Sequence, residues 1–336
     1  MNIKTVYVEI TNRCNLNCQT CYNRSGMNRV TKEISPEQIE AICRRFRPYG
    51  MNRLLLSGGE PSLHSRFFDV LALADQYPDM TFGIVTNGTN SDPRFIEAVN
   101  CHGNMFIQIS LDGASEESNA KTRGAGNFEK TLSFARQIHT EGRPHLLKMV
   151  ISKSNIDDVE PFYRLALSLG YQPEFAFIYR SGNADSDWEK KALTAMEKFR
   201  LMKRIDRLNE DLHGNAFLPR CTVRCPFTRG ADSLSLCIRT DGGIQPCQML
   251  YDSRFSLGNI FETPNADLEN AFRKMCETAK KRLETDYGCS RCLLRNGCGH
   301  GCMAAAVCLN GDPLADDGDC AFRKSIFLGY DLKRGI

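Results

Sequence analysis

The chain has 336 residues, 42% of them hydrophobic and 25% charged, with a formal net charge of +3. Those are the proportions of a soluble globular protein with room for one large domain and a smaller one. The near-balanced charge gives no argument for nucleic acid, and the apolar stretches are too short and too often broken by charges to predict a membrane span. Sixteen cysteines are the anomaly.

The N-terminus, MNIKTVYVEITNRC, shows strand-like alternation and no apolar signal core, so a cytoplasmic location is expected. Thiols stay reduced there, and the cysteines point to metal binding rather than disulfides. Ile3 to Ile10 alternate as a first strand. Ser35 caps a helix with Pro36 at its first position, running to about Arg47, where Pro48 and Gly50 stop it. Strands are then expected at Arg53 to Leu56, Met80 to Val85, Met105 to Leu111, Leu146 to Ile151 and Glu174 to Tyr179. Between them lie helices at Phe67 to Gln76, Pro93 to Asn100, Phe128 to Thr140 and Val159 to Leu169. Six strands alternating with helices predict an α/β fold with a parallel sheet and right-handed crossovers.

Gly182 to Asp187 reads as a polar linker, with Asp187 capping a charged helix from Trp188 to about Leu212. From Pro219 onward cysteines, glycines and short strands dominate. The predicted organisation is therefore an α/β domain over 1–182, a linker helix region over 183–218 and a small cysteine-rich domain over 219–336.

The polar motifs fall at the C-terminal ends of the predicted strands, where barrel-type sheets keep their working residues. After the first strand comes Cys14-Asn15-Leu16-Asn17-Cys18-Gln19-Thr20-Cys21-Tyr22. Three thiolates can hold three irons of a cubic 4Fe–4S cluster and leave the fourth iron open. A zinc knuckle or disulfides are the alternatives, but zinc wants a fourth Cys or His nearby, and no His lies between Cys21 and His64.

The CNLNCQTCY stretch resembles the cluster motif of radical S-adenosylmethionine (SAM) enzymes. That resemblance implies a partial (β/α)6 TIM-like barrel, SAM chelating the open iron, and reductive cleavage of SAM to a 5′-deoxyadenosyl radical that takes hydrogen from substrate. Gly58-Gly59-Glu60-Pro61 is similar to the family's GGEP motif, its glycines allowing close approach of a ligand amino group and Glu60 accepting from an ammonium. By the same resemblance Asn87 and Ser110 lie where the family contacts ribose or methionine carboxylate, Arg123 pairs with that carboxylate, and Tyr22 touches the adenine. Turn chemistry is the other reading of Asn87, Ser110 and Arg123, core packing is the other reading of Tyr22, and Asp112 is taken as a turn residue.

The C-terminal set, Cys289, Cys292, Cys298, Cys302 and Cys320, with Cys221, Cys225, Cys237 and Cys247 upstream, is similar to the SPASM extension, which holds two auxiliary 4Fe–4S clusters. The resemblance implies that Cys289, Cys292, Cys298 and Cys320 bind one cluster. Cys247 and Cys302 bind the other, with ligands from the Cys221/Cys225 pair. A zinc ribbon is the alternative. Cys237 sits in an alternating strand pattern and reads as structural; Cys43, Cys101, Cys276 and Cys308 read as buried helix thiols, and His300 as a packed loop residue.

Relatives of this kind act mostly on ribosomally made peptides and proteins. The first strand begins near residue 3, so either a separate recognition protein presents the peptide or the substrate needs no such help. A flavodoxin- or ferredoxin-type protein would supply electrons. Gln248 follows Cys247 where sulfatase maturases carry aspartate, which lowers that reading. A small-molecule or haem-precursor enzyme is the second reading, and a non-enzymatic electron carrier or a zinc-binding interaction protein the remote ones.

Overall fold

The computed structural model describes residues 2–27, 30–140, 145–217, 225–229, 234–285 and 287–334. Its sheet has nine strands: β1 (Ile3–Thr11), β2 (Arg53–Gly58), β3 (Thr81–Thr86), β4 (Met105–Ser110), β5 (Leu146–Ile151), β6 (Gln172–Phe177), β7 (Leu234–Ile238), β8 (Gly243–Gln245) and β9 (Gly258–Asn259). Their order is β6-β5-β4-β3-β2-β1-β7-β8-β9. Strands β1 to β6 pair in parallel, each with its sequence neighbour, as a partial (β/α)6 barrel requires.

The period of two along β1 decides its two faces. Val6, Val8 and Ile10 are fully buried among the hydrophobic core. Tyr7, Glu9 and Thr11 occupy the opposite face, in register with Leu55, Ser57 and Gly58 of β2. Ser35 caps the Pro36–Phe46 helix as expected, with a reciprocal bond from its own N–H to Gln38.

Several elements depart from the sequence expectation. The Phe67–Gln76 helix divides at Ala72, and β6 starts two residues earlier, taking in Pro173, which an outer strand tolerates. The charged helix after residue 187 also divides. Asp187 makes no capping bond, and Thr194 opens the long helix Ala195–Asp211 through a capping box with Glu197. A helix over Glu116–Arg123 carries almost no apolar signal; Ser115 caps it, with Glu116 and Glu117 in its first turn and Lys121 and Arg123 in its last.

The C-terminal region extends the same sheet. Strand β7 pairs in parallel with β1, Val6 opposite Leu236 and Tyr7 opposite Cys237, and β8 folds back antiparallel on β7. Beyond β9 the region is helical rather than strand-rich, with helices at Asn265–Thr285, Met303–Asn310 and Cys320–Arg334 and two short ones between. Among the described residues no helix is long and apolar enough to cross a membrane.

Candidate functional site

The cysteine loop leaves β1 and is fixed on three sides by backbone atoms. Gly59 donates to Thr11 O at 2.8 Å and Glu60 to Arg13 O at 2.7 Å, which lays the GGEP turn along the loop's base. A Cβ on Gly59 would stand 1.9 Å from Arg13 O, and one on Gly58 2.2 Å from Thr11 O. These glycines are therefore required by chain against chain, whatever a ligand adds. On the far side Gln19 N–H donates to Thr122 O at 2.7 Å. From below, Asn183 donates its backbone N–H to Cys21 O at 2.8 Å and its side chain to Cys18 O at 2.9 Å. The segment that read as a linker is thus a clamp on the loop.

Cys14, Cys18 and Cys21 are free and partly exposed on this loop. Burial pushes the Cys14 thiol up to about 12; the Leu16 N–H opposes that, and Glu60, Cys18 and Cys21 add to it. Burial also raises Cys18, against the pull of the Arg123 guanidinium. Coordination to a metal deprotonates a thiol outright, and a cation beside Cys18 favours the charged product. Three thiols within electrostatic reach of one another, with a cation behind one of them, fit a cubane. Among the described residues no three Cys, His, Asp or Glu side chains converge on a single-ion point, whereas a cubane takes each thiolate on a different iron.

Glu60 is 1% exposed and fully engaged. Its Oε1 accepts from the Thr86 hydroxyl at 2.7 Å and from the Ser62 hydroxyl and N–H, and its Oε2 from Asn87 N–H at 2.7 Å. Burial raises its pKa, and these donors offset part of that. Asn87 carries the connection onward: its side chain donates to Asn15 Oδ1 at 2.9 Å, and Asn15 donates to the Thr89 hydroxyl. Ser110 stands half-buried at the end of β4, opposite Lys148.

Arg123, expected on a ligand carboxylate, has its Nε 2.9 Å from Asp112 Oδ2, with Asp112 fully buried. Asp112 is more than a turn residue. It also accepts from Val150 N–H through Oδ1, while its backbone is held by Asn119 and Asn155. Tyr22 packs its ring against Tyr251, centroids 5.7 Å apart, and the Tyr251 hydroxyl donates to buried Glu9. Burial lifts Glu9 to about 7, with Arg239 opposing. Glu9 and Tyr251 escaped the sequence reading; the available signal was an acid inside the apolar run VYVEIT.

In the C-terminal region Cys221 lies outside the described residues. Cys225 is buried, and its N–H donates to Gly301 O at 3.1 Å, beside Cys302. Cys298 and Cys320 are electrostatic neighbours, and Arg323 Nε donates to Cys298 Sγ at 3.1 Å. Cys292 N–H donates to Cys289 O at 3.1 Å. Cys247 lies within electrostatic reach of Cys237, which is fully buried on β7. His300 is buried with positive φ and binds Arg282 O through Nδ1, a packed loop residue. Of the helix thiols Cys43 is buried, Cys276 and Cys308 partly so, but Cys101 is exposed.

Fold and site define the class: a partial parallel barrel with a three-thiol loop at its first strand end and a cysteine-rich helical C-terminal region. Residues 8–166 match the family model of the Radical SAM superfamily. The chain is 26% identical over 283 residues to the sporulation killing factor maturation protein SkfB of Bacillus subtilis, covering 79% of this chain and 64% of SkfB, less than two thirds of that relative. It is 27% identical over 350 residues to the AdoMet-dependent heme synthase of Methanosarcina barkeri, covering 94% of this chain and 95% of the relative. In fold it matches native anSMEcpe with bound AdoMet and Cp18Cys peptide, with a TM-score of 0.77 at 18% identity over 99% of this chain and 98% of the other.

Proposed function

We propose that the chain is a radical SAM enzyme that modifies a side chain of a ribosomally made peptide or protein. The observation that carries this is the loop of three free thiols after β1, with the glycine-rich turn bonded along its base, the Asn87 side chain on Asn15 and the Arg123 guanidinium within electrostatic reach of Cys18. Cys14, Cys18 and Cys21 would hold the first 4Fe–4S cluster; Tyr22, Gly58, Gly59, Glu60, Asn87, Ser110 and Arg123 would surround SAM. When bound, the cluster and SAM supply an electron and a 5′-deoxyadenosyl radical able to take hydrogen from substrate.

The protein's own part is positional. Glu60 ties the ends of β2 and β3 together, Asn183 and Gly182 hold the thiol loop from below, and the Asp112–Arg123 pair keeps a cation at Cys18. Cys289, Cys292, Cys298 and Cys320 would bind one auxiliary cluster. Cys225, Cys247 and Cys302, with Cys221, would bind the other. The superfamily match, the name of the SkfB relative and the peptide recorded with a structural neighbour support a peptide substrate. A separate recognition protein, a flavodoxin- or ferredoxin-type electron donor and a cytoplasmic location complete the proposal. A haem precursor is the second reading, favoured by the near full-length alignment with the heme synthase.

Anaerobic reconstitution followed by SAM and dithionite tests the class. The wild-type chain releases 5′-deoxyadenosine, and the triple substitution Cys14→Ala, Cys18→Ala, Cys21→Ala abolishes release. Cleavage retained in the triple variant removes the assignment. Separate incubations with a candidate precursor peptide and with a haem precursor then decide the substrate by which one changes mass.

A further inference from the structure

Arg282 is the largest fully buried side chain among the described residues. Its Nη2 donates to His300 O at 2.8 Å, but its Nε and Nη1 have no hydrogen-bond partner among the described residues. The charges and thiols within its electrostatic reach are Asp317, Cys225, Cys302 and Arg323. Asp317 is already committed. It takes a two-pronged bond from Arg323, with Nη1 2.7 Å from Oδ2, and it accepts the Cys302 N–H at 2.7 Å and the Asp319 N–H at 3.2 Å. Arg323 spends its Nε on Cys298 Sγ.

A buried cation with two idle donors costs several kcal/mol unless an anion lies beside it. Among the described residues the carboxylate within its electrostatic reach, Asp317, is bonded to a second arginine. Glycine at 301 is what permits this crowding, since a Cβ there would stand 2.2 Å from Asp317 Oδ2 and 2.4 Å from Arg323 Cζ. The fold has thus packed two arginines and one aspartate between two groups of thiols.

We propose that Arg282 is a built-in counter-cation for an anionic iron–sulfur group held by Cys225 and Cys302, and that Arg323 serves the Cys298 set in the same way. Asp317 holds Arg323 in a two-pronged bond and accepts the Cys302 N–H, while Arg282 holds the nearby His300 carbonyl. This rests on the auxiliary-cluster reading above. Thiolate-ligated clusters carry negative charge, and N–H donors to their sulfurs set their potentials. Reduction adds one electron and breaks no bond, so a nearby cation stabilises the reduced form and raises the potential. Arg282 and Arg323 are positioning residues here, acting on the group's charge.

The test compares melting of the full chain, metal-free and anaerobically reconstituted, for wild type and Arg282→Met. Potentials are read by dye-mediated titration followed by electron paramagnetic resonance, in the Cys14→Ala, Cys18→Ala, Cys21→Ala background that removes the first cluster. Arg282→Met should leave the metal-free Tm unchanged or higher, because a stranded charge is gone, and should lower the Tm of the loaded chain. It should also lower an auxiliary midpoint by a tenfold change in the reduction equilibrium, about 59 mV for one electron. Arg282→Lys should recover part of both effects. Equal loss of Tm in both forms would mean that Arg282 only holds the His300 loop and would overturn the proposal, as would an unchanged loaded Tm and midpoint. Wild-type chain that loads only about four irons, one cubane, instead of about twelve would sink the auxiliary-cluster reading itself, a failure distinct from a charge effect that is missing.

Discussion

Asn87 donates its side-chain amide to Asn15 Oδ1 across 2.9 Å, joining the end of the third strand to the thiol loop just after its first cysteine. Its own Oδ1 accepts from the Thr89 N–H and hydroxyl. The bond makes the loop's position depend on a residue 72 places away in sequence. Asn87→Ala deletes these bonds together and should cost about 1–2 kcal/mol. Amide exchange across residues 14–22 should quicken while β1 stays protected. Unchanged exchange in the loop would show that its other tethers suffice.

Gly182 has a φ of +59°, and a Cβ there would meet Cys21 O at 2.2 Å and Tyr22 O at 2.4 Å. Neither neighbour can move without moving the third thiol. Gly182→Ala is expected to fold, since the clash lies in a surface-connected segment, but to lose the first cluster. Iron should fall from about twelve to about eight per chain if three cubanes load. Iron content equal to wild type would refute the clamp.

Arg123 and Asp112 form a nearly enclosed ion pair, the side chains 12% and 0% exposed. Arg123→Ala strands a buried carboxylate and should cost about 3–5 kcal/mol. Adding Asp112→Asn removes the stranded charge while keeping an acceptor for Val150 N–H, so the double variant should regain part of the loss. A double variant no more stable than Arg123→Ala, by denaturant titration, would contradict the pairing.

Glu9 titrates at about 7 in the folded chain, against 4.5 for the ordinary group, because burial disfavours its charge. The folded protein keeps a proton that the unfolded chain has released, so the contribution of protonated Glu9 is full below pH 4.5 and is lost as pH rises through about 7. Glu9→Gln keeps a neutral partner for Tyr251 and should flatten that part of the stability profile. Parallel Tm curves for the two proteins between about pH 5 and pH 8 would remove the effect.

The barrel was readable because its information is local. Apolar alternation marks β1, Ser35 with Pro36 marks the next helix, and three cysteines between Cys14 and Cys21 can be recognised without knowing what surrounds them. The Glu116–Arg123 helix was not readable, because caps and charges at its ends hold it rather than an apolar stripe. The Asp187 cap failed for a related reason: two capping residues were in range, and Thr194 had the glutamate three positions on.

What the sequence by itself determined is the list of thiols, the glycine-rich turn and their places at strand ends, since spacing and periodicity are properties of a line. Only the tertiary structure decided what each polar group faces. It turned Glu60 onto Thr86 and Asn87, spent Arg123 on Asp112, brought Asn183 onto the carbonyls of Cys18 and Cys21, and set Arg282 within electrostatic reach of the bonded Asp317–Arg323 pair. These partners are far apart in the chain or lie outside any periodic pattern. Burial then decides the outcome, because an enclosed charge or donor must take whatever partner the packing brings within reach.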